Sequence, residues 1–262
     1  NNGFAQYVTK STHQNISLKT IKNIELKDLP TLEQQAKVVN YIESINNFSN
    51  NKKIEILNLN KFKDNMLIET FDNEIMSKNE EFTISKLKEV SKINIGRTPK
   101  NPDLFYTTES NYFFAGLKQL PVDSNIINST NICVHESELK QSIFVKPDSL
   151  ILTVYGDVGN LYLNNTNLCI SQALVSFQDN LVDTKYLYYY IQYLKANKTL
   201  EKYTAGSQSQ NMSKKDIANF DIKVYNNEIQ KKIVKYFSML DKYININIEQ
   251  LNQYKILQKE TI

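Results

Sequence analysis

Gly96-Arg97-Thr98-Pro99-Lys100, Gly116-Leu117-Lys118-Gln119 and Gly206-Ser207-Gln208-Ser209-Gln210-Asn211 are polar segments, each opened by a glycine. They hold the side chains of this chain best suited to directional hydrogen bonding. Arg, Lys, Gln and Asn pair with guanine and adenine edges in the major groove of DNA, and Ser can take either role. The first segment sets an Arg and a Lys around a rigid Thr-Pro turn. The second follows the aromatic pair Phe113-Phe114, and the third is a run of small and amide side chains. Taken singly, each is also what an ordinary polar surface turn looks like.

Covalent, metal and phosphate chemistry find no comparable support. No G-x-x-x-x-G-K-[ST] loop is present, and Gly156-Asp157-Val158-Gly159-Asn160 lacks a third glycine, so it reads as a turn at a strand end. Asn101-Pro102-Asp103-Leu104-Phe105 lacks the second proline of the Asn-Pro-Pro-Phe loop of amino-methyltransferases, and no glycine-rich cofactor loop precedes it. Cys133, Cys169, His13 and His135 show neither C-x-x-C nor H-x-x-x-H spacing. His135 lies near Cys133, but a zinc site needs three or four ligands. The cysteines read as reduced structural thiols of a cytoplasmic protein. No acidic cluster resembles a metal-dependent nuclease signature. The chain therefore reads as non-catalytic, holding no cofactor and no metal of its own.

The elements that would position the loops are legible from a repeat. Gln14-Asn15-Ile16-Ser17 through Lys27 is echoed by Gln210-Asn211-Met212-Ser213 through Lys223, about 195 residues later. Glu33 then matches Glu228, Val38–Ile42 matches Ile233–Phe237, and Ile54-Glu55 matches Ile248-Glu249. A solenoid repeat is far shorter, roughly 20–50 residues. Two similar segments, read here as helical, that bracket one unrelated block predict an internal pseudo-twofold arrangement. Thr31 is a suitable N-cap, and no Gly or Pro occurs from Leu32 to Lys78. Val38, Ile42, Ile45, Ile56, Leu59, Phe62 and Met66 recur at helical spacing, with a polar interruption at Asn50–Lys53 where an irregularity is expected. In the second segment Ile229, Ile233, Tyr236, Leu240, Tyr243, Asn247, Tyr254 and Leu257 step as heptads broken only at Gln250. That pattern predicts paired helices with a buried Asn that fixes register.

Between the arms, Phe113-Phe114, Ser149–Tyr155, Leu161–Leu163 and Ala173–Phe177 read as strands ending at turn signals. Thr184–Lys198 reads as an aromatic helix packed on the sheet. The block is an α/β (α+β) domain. With 41% hydrophobic residues, 16 Tyr and 12 Phe it can build a real core. The formal charge of +3 permits nucleic-acid binding without arguing for it. No apolar run approaches the ~18 residues of a membrane span, and no signal peptide is visible.

In order along the chain, these features resemble the specificity subunit of type I restriction–modification systems. The resemblance rests on the Gly96-x-Thr98-Pro99 turn, the strand Leu150–Tyr155 leading to Gly156-x-x-Gly159-Asn160, and Cys169-Ile170-Ser171-Gln172-Ala173. It continues in Tyr186-Leu187-Tyr188-Tyr189, Gly206-Ser207, Asn211-x-Ser213 and the junction Leu29-Pro30-x-x-Glu33-Gln34. The second junction keeps Glu228 but loses the Leu-Pro. The resemblance implies residues 1–30 as the tail of a first recognition domain, 31–80 as one long coiled-coil helix, 81–225 as a target recognition domain and 226–262 as the second helix. The helices would pair as an antiparallel coiled coil. It implies a non-catalytic subunit that reads one half of a bipartite double-stranded DNA site. Methyltransferase (modification) subunits, which carry S-adenosylmethionine, and restriction/translocase subunits would dock on the helices. A homodimer is expected if the chain is a shortened form acting alone. The DNA-binding residues expected are Arg97, Thr98, Lys100, Lys118, Gln119, Tyr155, Asn160, Ser207, Gln208 and Gln210. The competing reading is a coiled-coil adaptor whose α/β domain binds protein.

Overall fold

The first long helix spans Leu32–Phe71 and the second Asn227–Thr261, and both begin with the same clasp. Thr31 caps the first: its Oγ1 accepts from Gln34 N (3.3 Å) while Thr31 N donates to Gln34 Oε1 (3.0 Å), a reciprocal box that satisfies two otherwise orphaned donors. Asn226 caps the second, accepting from Ile229 N at 3.0 Å. One residue further in than each box, a glutamine reaches back to the carbonyl before the cap. Gln35 Nε2 donates to Pro30 O, and Gln230 Nε2 to Tyr225 O, each at 2.7 Å. These residues correspond at the repeat spacing, as do the short helices Leu18–Lys22 and Lys214–Ala218. The computed structural model describes residues 18–23, 29–77, 80–100, 105–107, 109–204 and 211–261. The chain divides into two compact units, one of Asn1–Asn50 with Tyr254–Ile262 and one of Asn51–Gln253.

Within Asn51–Gln253 the two helices run antiparallel. Contacts pair Lys52 with Asn247, Glu55 with Tyr243 and Lys63 with Asp241, so numbers rise along one helix as they fall along the other. Lys52 Nζ donates to Asn247 Oδ1 at 2.7 Å across a sequence separation of 195, which is the repeat spacing itself. Two residues related by the repeat that also touch each other lie at the pseudo-dyad. Asn247 is buried there and donates to Tyr243 O at 2.9 Å, so the polar core position is fully used.

Three details depart from the expectation. The first helix runs unbroken through Asn50–Lys53, because Lys52 finds both Asn247 and Glu55 as partners. It ends at Phe71 rather than near Lys78. Lys223 Nζ hydrogen-bonds the Phe71 carbonyl (2.7 Å) and Glu74 Oε1 (2.9 Å), and Glu74 turns the chain at φ 54°. The heptad seam slips by one residue after Ile233: Phe237, Ile244 and Leu251 are buried where Tyr236, Tyr243 and Gln250 were expected. A helix of 3.6 residues per turn drifts against a strict 3.5 repeat, and a four-residue step keeps the stripe inward.

Among the described residues the strands form three sheets, all inside Asn51–Gln253. A ribbon pairs β1 (Phe82–Lys86) antiparallel with β12 (Asp221–Tyr225). The latter lies in the repeated segment, so that part of the repeat is strand and not helix. One five-stranded sheet has the order β2 (Lys92–Ile95), β11 (Leu174–Gln178), β8 (Ser149–Thr153), β9 (Leu161–Asn164), β5 (Ile126–Ile127). The other runs β3 (Tyr106–Thr107), β6 (Cys133–Val134), β4 (Phe113–Ala115), β10 (Leu168–Ile170), β7 (Ile143–Val145).

β8 and β11 are buried along their whole length because both faces are covered. Leu150, Leu152, Val175 and Phe177 pack into the cluster under the helix Thr184–Ala196, while Ile151 and Leu174 pack against Ala115, Val145, Leu168 and Ile170 of the second sheet. This layering explains their near-continuous apolar sequence. Asp183 caps the helix through bonds from Lys185 N and Tyr186 N, and its own N–H donates to Gln230 at 2.9 Å. Gln230 is only 3% exposed, so both ends of its amide tie the domain to the root of the second long helix. Phe71, the last residue of the first long helix, sits against the rings of Tyr186, Tyr190 and Tyr193 at 4.9–5.9 Å. No described helix is long and apolar enough to cross a membrane.

Candidate nucleic-acid interface

The loop Gly96–Lys100 leaves β2 on a fixed backbone. Gly96 N donates to Leu174 O (2.8 Å), Arg97 N to Ile170 O (2.9 Å), and the Arg97 carbonyl accepts from Ser142 Oγ (2.8 Å). A Cβ on Gly96 would lie 2.1 Å from Ser171 O and 2.4 Å from Ile170 O, so only glycine fits. Pro99 is buried and anchors the turn, while Arg97, Thr98 and Lys100 point into solvent. Gly96→Ala is therefore expected to destabilise the domain by about 3 kcal/mol or more, since the clash is with backbone that cannot rotate away. Chemical denaturation of the variant checks this, and a loss below ~1 kcal/mol would contradict it.

The second loop meets the first across Ser171. Ser171 N donates to Ala115 O at 2.9 Å, and its Oγ lies 3.5 Å from where a Gly116 Cβ would stand. Leu117–Gln119 forms a single tight turn in which Gly116 N donates to Gln119 Oε1 at 3.1 Å. Lys118 is exposed and Gln119 half-exposed. Leu117 reaches the Gly156 turn, its Cδ1 3.5 Å from that glycine's Cβ position. Gly156 needs its φ of 73° for the chain to reverse there. Beside it the exposed Tyr155 forms an antiparallel bridge to Asn211, flanked by Met212 N donating to Val154 O at 3.1 Å. Arg97, Thr98, Lys100, Lys118, Gln119 and Tyr155 are thus brought to one end of the two sheets. Ser207, Gln208 and Gln210 lie outside the described residues. Their neighbour Asn211 stands at the cluster.

Asn160 is placed elsewhere. Its side chain donates to Asp157 (2.7 Å) and accepts from Lys195 (2.8 Å), lining a cleft with Asn60, Lys63, Asp64, Gln192 and Lys195. Burial lifts the Asp64 carboxyl above the usual carboxylate range, and Lys63 and Lys195 pull it back down. The half-buried Ser171 and the exposed Gln172 were not expected at the site. The signal that could have found them is the Cys169–Ala173 motif, which forms the wedge between the two glycine loops.

The electrostatics of the cluster are those of a surface awaiting an anion or a base edge. Among the described residues no ion-pair partner engages Arg97, Lys100 or Lys118. Burial pushes the Cys169 thiol up to about 12, leaving it protonated and unreactive at neutral pH. Among the described residues no three His, Cys, Asp or Glu side chains gather closely enough to hold a metal ion.

Comparison with known protein families matches residues 79–255 to the type I restriction modification DNA specificity domain. The chain belongs to that family. The match is to a specificity domain, not to a methyltransferase or a nuclease. Solved structures share the fold. One, described under the structural basis of complex assembly and conformational transition of the type I R-M system, superposes with a TM-score of 0.65 at 21% identity over 89% of this chain. The HsdS subunit from Thermoanaerobacter tengcongensis gives 0.59 at 20% identity over 92%, and the S subunit from M. genitalium 0.63 at 14% over 98%. This chain spans 59%, 64% and 67% of the length of those three chains.

Proposed function

We propose that the chain reads one half of a split double-stranded DNA site for a type I restriction–modification complex. The observation that carries this reading is the convergence of Gly96–Lys100, Gly116–Gln119, Tyr155 and Asn211 on one sheet end, with Arg97, Lys100 and Lys118 exposed and, among the described residues, without ion-pair partners. Side chains on a rigid base are what direct readout requires, since phosphate contacts position a protein and base contacts specify. Ser207, Gln208 and Gln210, which precede Asn211 in the sequence, belong to the same reading by their side-chain chemistry, and Asn160 serves it indirectly by bracing the Gly156–Gly159 turn.

The long helices set the distance to the second half-site and take the methyltransferase subunits, with the restriction/translocase subunits joining that assembly. S-adenosylmethionine and the flipping of the target adenine belong to the modification subunits, not to this chain. The second half-site is read by another recognition domain, or by a second copy where the chain acts alone. Partners supply much of the phosphate grip, which accommodates a net charge of only +3. The site of action is the cytoplasm, where that DNA lies.

Selection from a random-sequence duplex pool, by the chain together with modification subunits, tests this. A split motif with one half fixed by this chain is the expected result. No sequence preference with or without those subunits would favour a protein-binding adaptor instead, and turnover by the chain alone would make it an enzyme.

A further inference from the structure

We propose that Arg97 reads a guanine. The inference rests on the DNA-reading role above and names the base. Of the 31 Lys and Arg residues in the sequence, Arg97 is the single arginine. Everywhere else this protein meets its need for positive charge with lysine, a compact point charge on a flexible stem. A guanidinium differs in being a planar fork of fixed donors, and it matters where two adjacent acceptors must be met at once. In the major groove only guanine, through N7 and O6, offers two acceptors side by side.

A phosphate also accepts such a fork. The surroundings of Arg97 favour the base. A base reader must be held in place, whereas a phosphate contact tolerates play. Here the backbone on both sides of Arg97 is pinned: Gly96 and Arg97 donate to Leu174 and Ile170, Ser142 holds the Arg97 carbonyl, and Pro99 is buried two residues on. The neighbours point the same way. Lys100 and Lys118 can only donate. The Gly116 N–H fixes which end of the Gln119 amide faces inward, because a donor must meet Oε1. Gln119 therefore presents its NH2 outward, with its acceptor already engaged. The two-point reading of adenine by an amide needs one donor and one acceptor, which Gln119 in this pose does not offer. The hydroxyls of Thr98 and Tyr155 can play either part. The face as a whole is rich in donors, and it complements an acceptor-rich edge.

The test uses the chain in complex with its modification subunits and, as probe, the duplex recovered by the selection above. Each guanine is replaced in turn by 7-deazaguanine, which lacks the N7 acceptor. One replacement is expected to weaken the wild-type complex about ten-fold, the order of a broken two-point contact, while leaving Arg97→Ala unaffected. Arg97→Lys should also relax the choice of base at that position alone. Three outcomes overturn the proposal. They are a selected half-site without guanine, a 7-deazaguanine effect that persists in Arg97→Ala, or equal weakening of all duplexes by Arg97→Ala with a salt dependence reduced by about one ion, as for a phosphate contact. If the wild-type complex recovers no motif, the DNA-reading role itself fails, and that result is distinct from the three.

Discussion

Between about pH 11 and 13 the domain built on Thr184–Ala196 is expected to unfold in one cooperative step. Tyr186, Tyr188, Tyr189 and Tyr190 are at most 4% exposed. Burial pushes the Tyr190 hydroxyl up to about 12 and raises the other three as well, with the Asp241 carboxylate adding to the shift of Tyr188 and Tyr189. An unfolded chain releases these protons near the ordinary tyrosine value of about 10, whereas the folded chain keeps them. Above that pH the unfolded state binds fewer protons, so stability falls as pH rises. It is fully present below about 10 and is lost toward and beyond the folded values. Each tyrosine contributes a slope of roughly 1.4 kcal/mol per pH unit, so four together remove about 5–6 kcal/mol per unit. Domain stabilities are typically about 5–15 kcal/mol, which the four exhaust within one to three units. Tyrosinate absorbance and far-UV circular dichroism followed across the same titration check this. The buried tyrosines should ionise in the step that loses ellipticity. Tyr188→Phe should make the step shallower, and ionisation of the four ahead of unfolding would refute the account.

That aromatic helix was legible in the sequence because its spacing is local, as were β8 and β11, whose burial on both faces writes an apolar run into the chain, and β9, whose Leu-Tyr-Leu ends at the turn signal Asn164-Asn165. The ribbon of β1 and β12 was not. Phe82–Lys86 and Asp221–Tyr225 are short half-polar strands whose paired residues lie 135 to 143 positions apart and meet only through the fold, while the repeat invited a helical reading of the second.

 The centre of that register, Ile84 opposite Lys223, shows the problem: nothing near either residue announces the other. Burial of Lys63 in place of Phe62 was hidden for the same reason, because its counter-ion Asp241 is 178 residues away. At the candidate interface the glycine loops announced themselves by composition. Their meeting did not, since it depends on the parallel pairing of β4 with β10 that carries Ser171 between them.

Asp241→Leu is expected to cost about 3–5 kcal/mol, far more than most single substitutions on a helix. Asp241 binds Lys63 from the first long helix through one carboxylate oxygen, and the Tyr189 hydroxyl through the other at 2.8 Å. The Lys63 side chain is 8% exposed, with its ammonium 5.6 and 5.9 Å from the ring centres of Tyr189 and Tyr188. Both long helices and the tyrosine helix thus meet at one carboxylate. Removing it strands a buried cation and leaves the Tyr189 hydroxyl with Ser238 alone, and the cost is mainly that of the charge left behind. Lys63→Met combined with Asp241→Leu should recover most of the loss, since an apolar pair of similar volume replaces a desolvated ion pair at little cost. Two comparisons sharpen the test. Lys86–Asp221 is an exposed pair, and breaking it should cost no more than about 1 kcal/mol. The 195-residue spacing of Lys52 and Asn247 also relates Lys63 and Asp241 to Gln258 and Asn46, which hydrogen-bond each other as neutral amides. Asn46→Leu should therefore cost only about 0.5–1.5 kcal/mol, although it occupies the corresponding turn of the other arm. Denaturant unfolding of the four variants measures all of this. If the double variant were no more stable than Asp241→Leu alone, the loss would come from packing and not from the stranded charge.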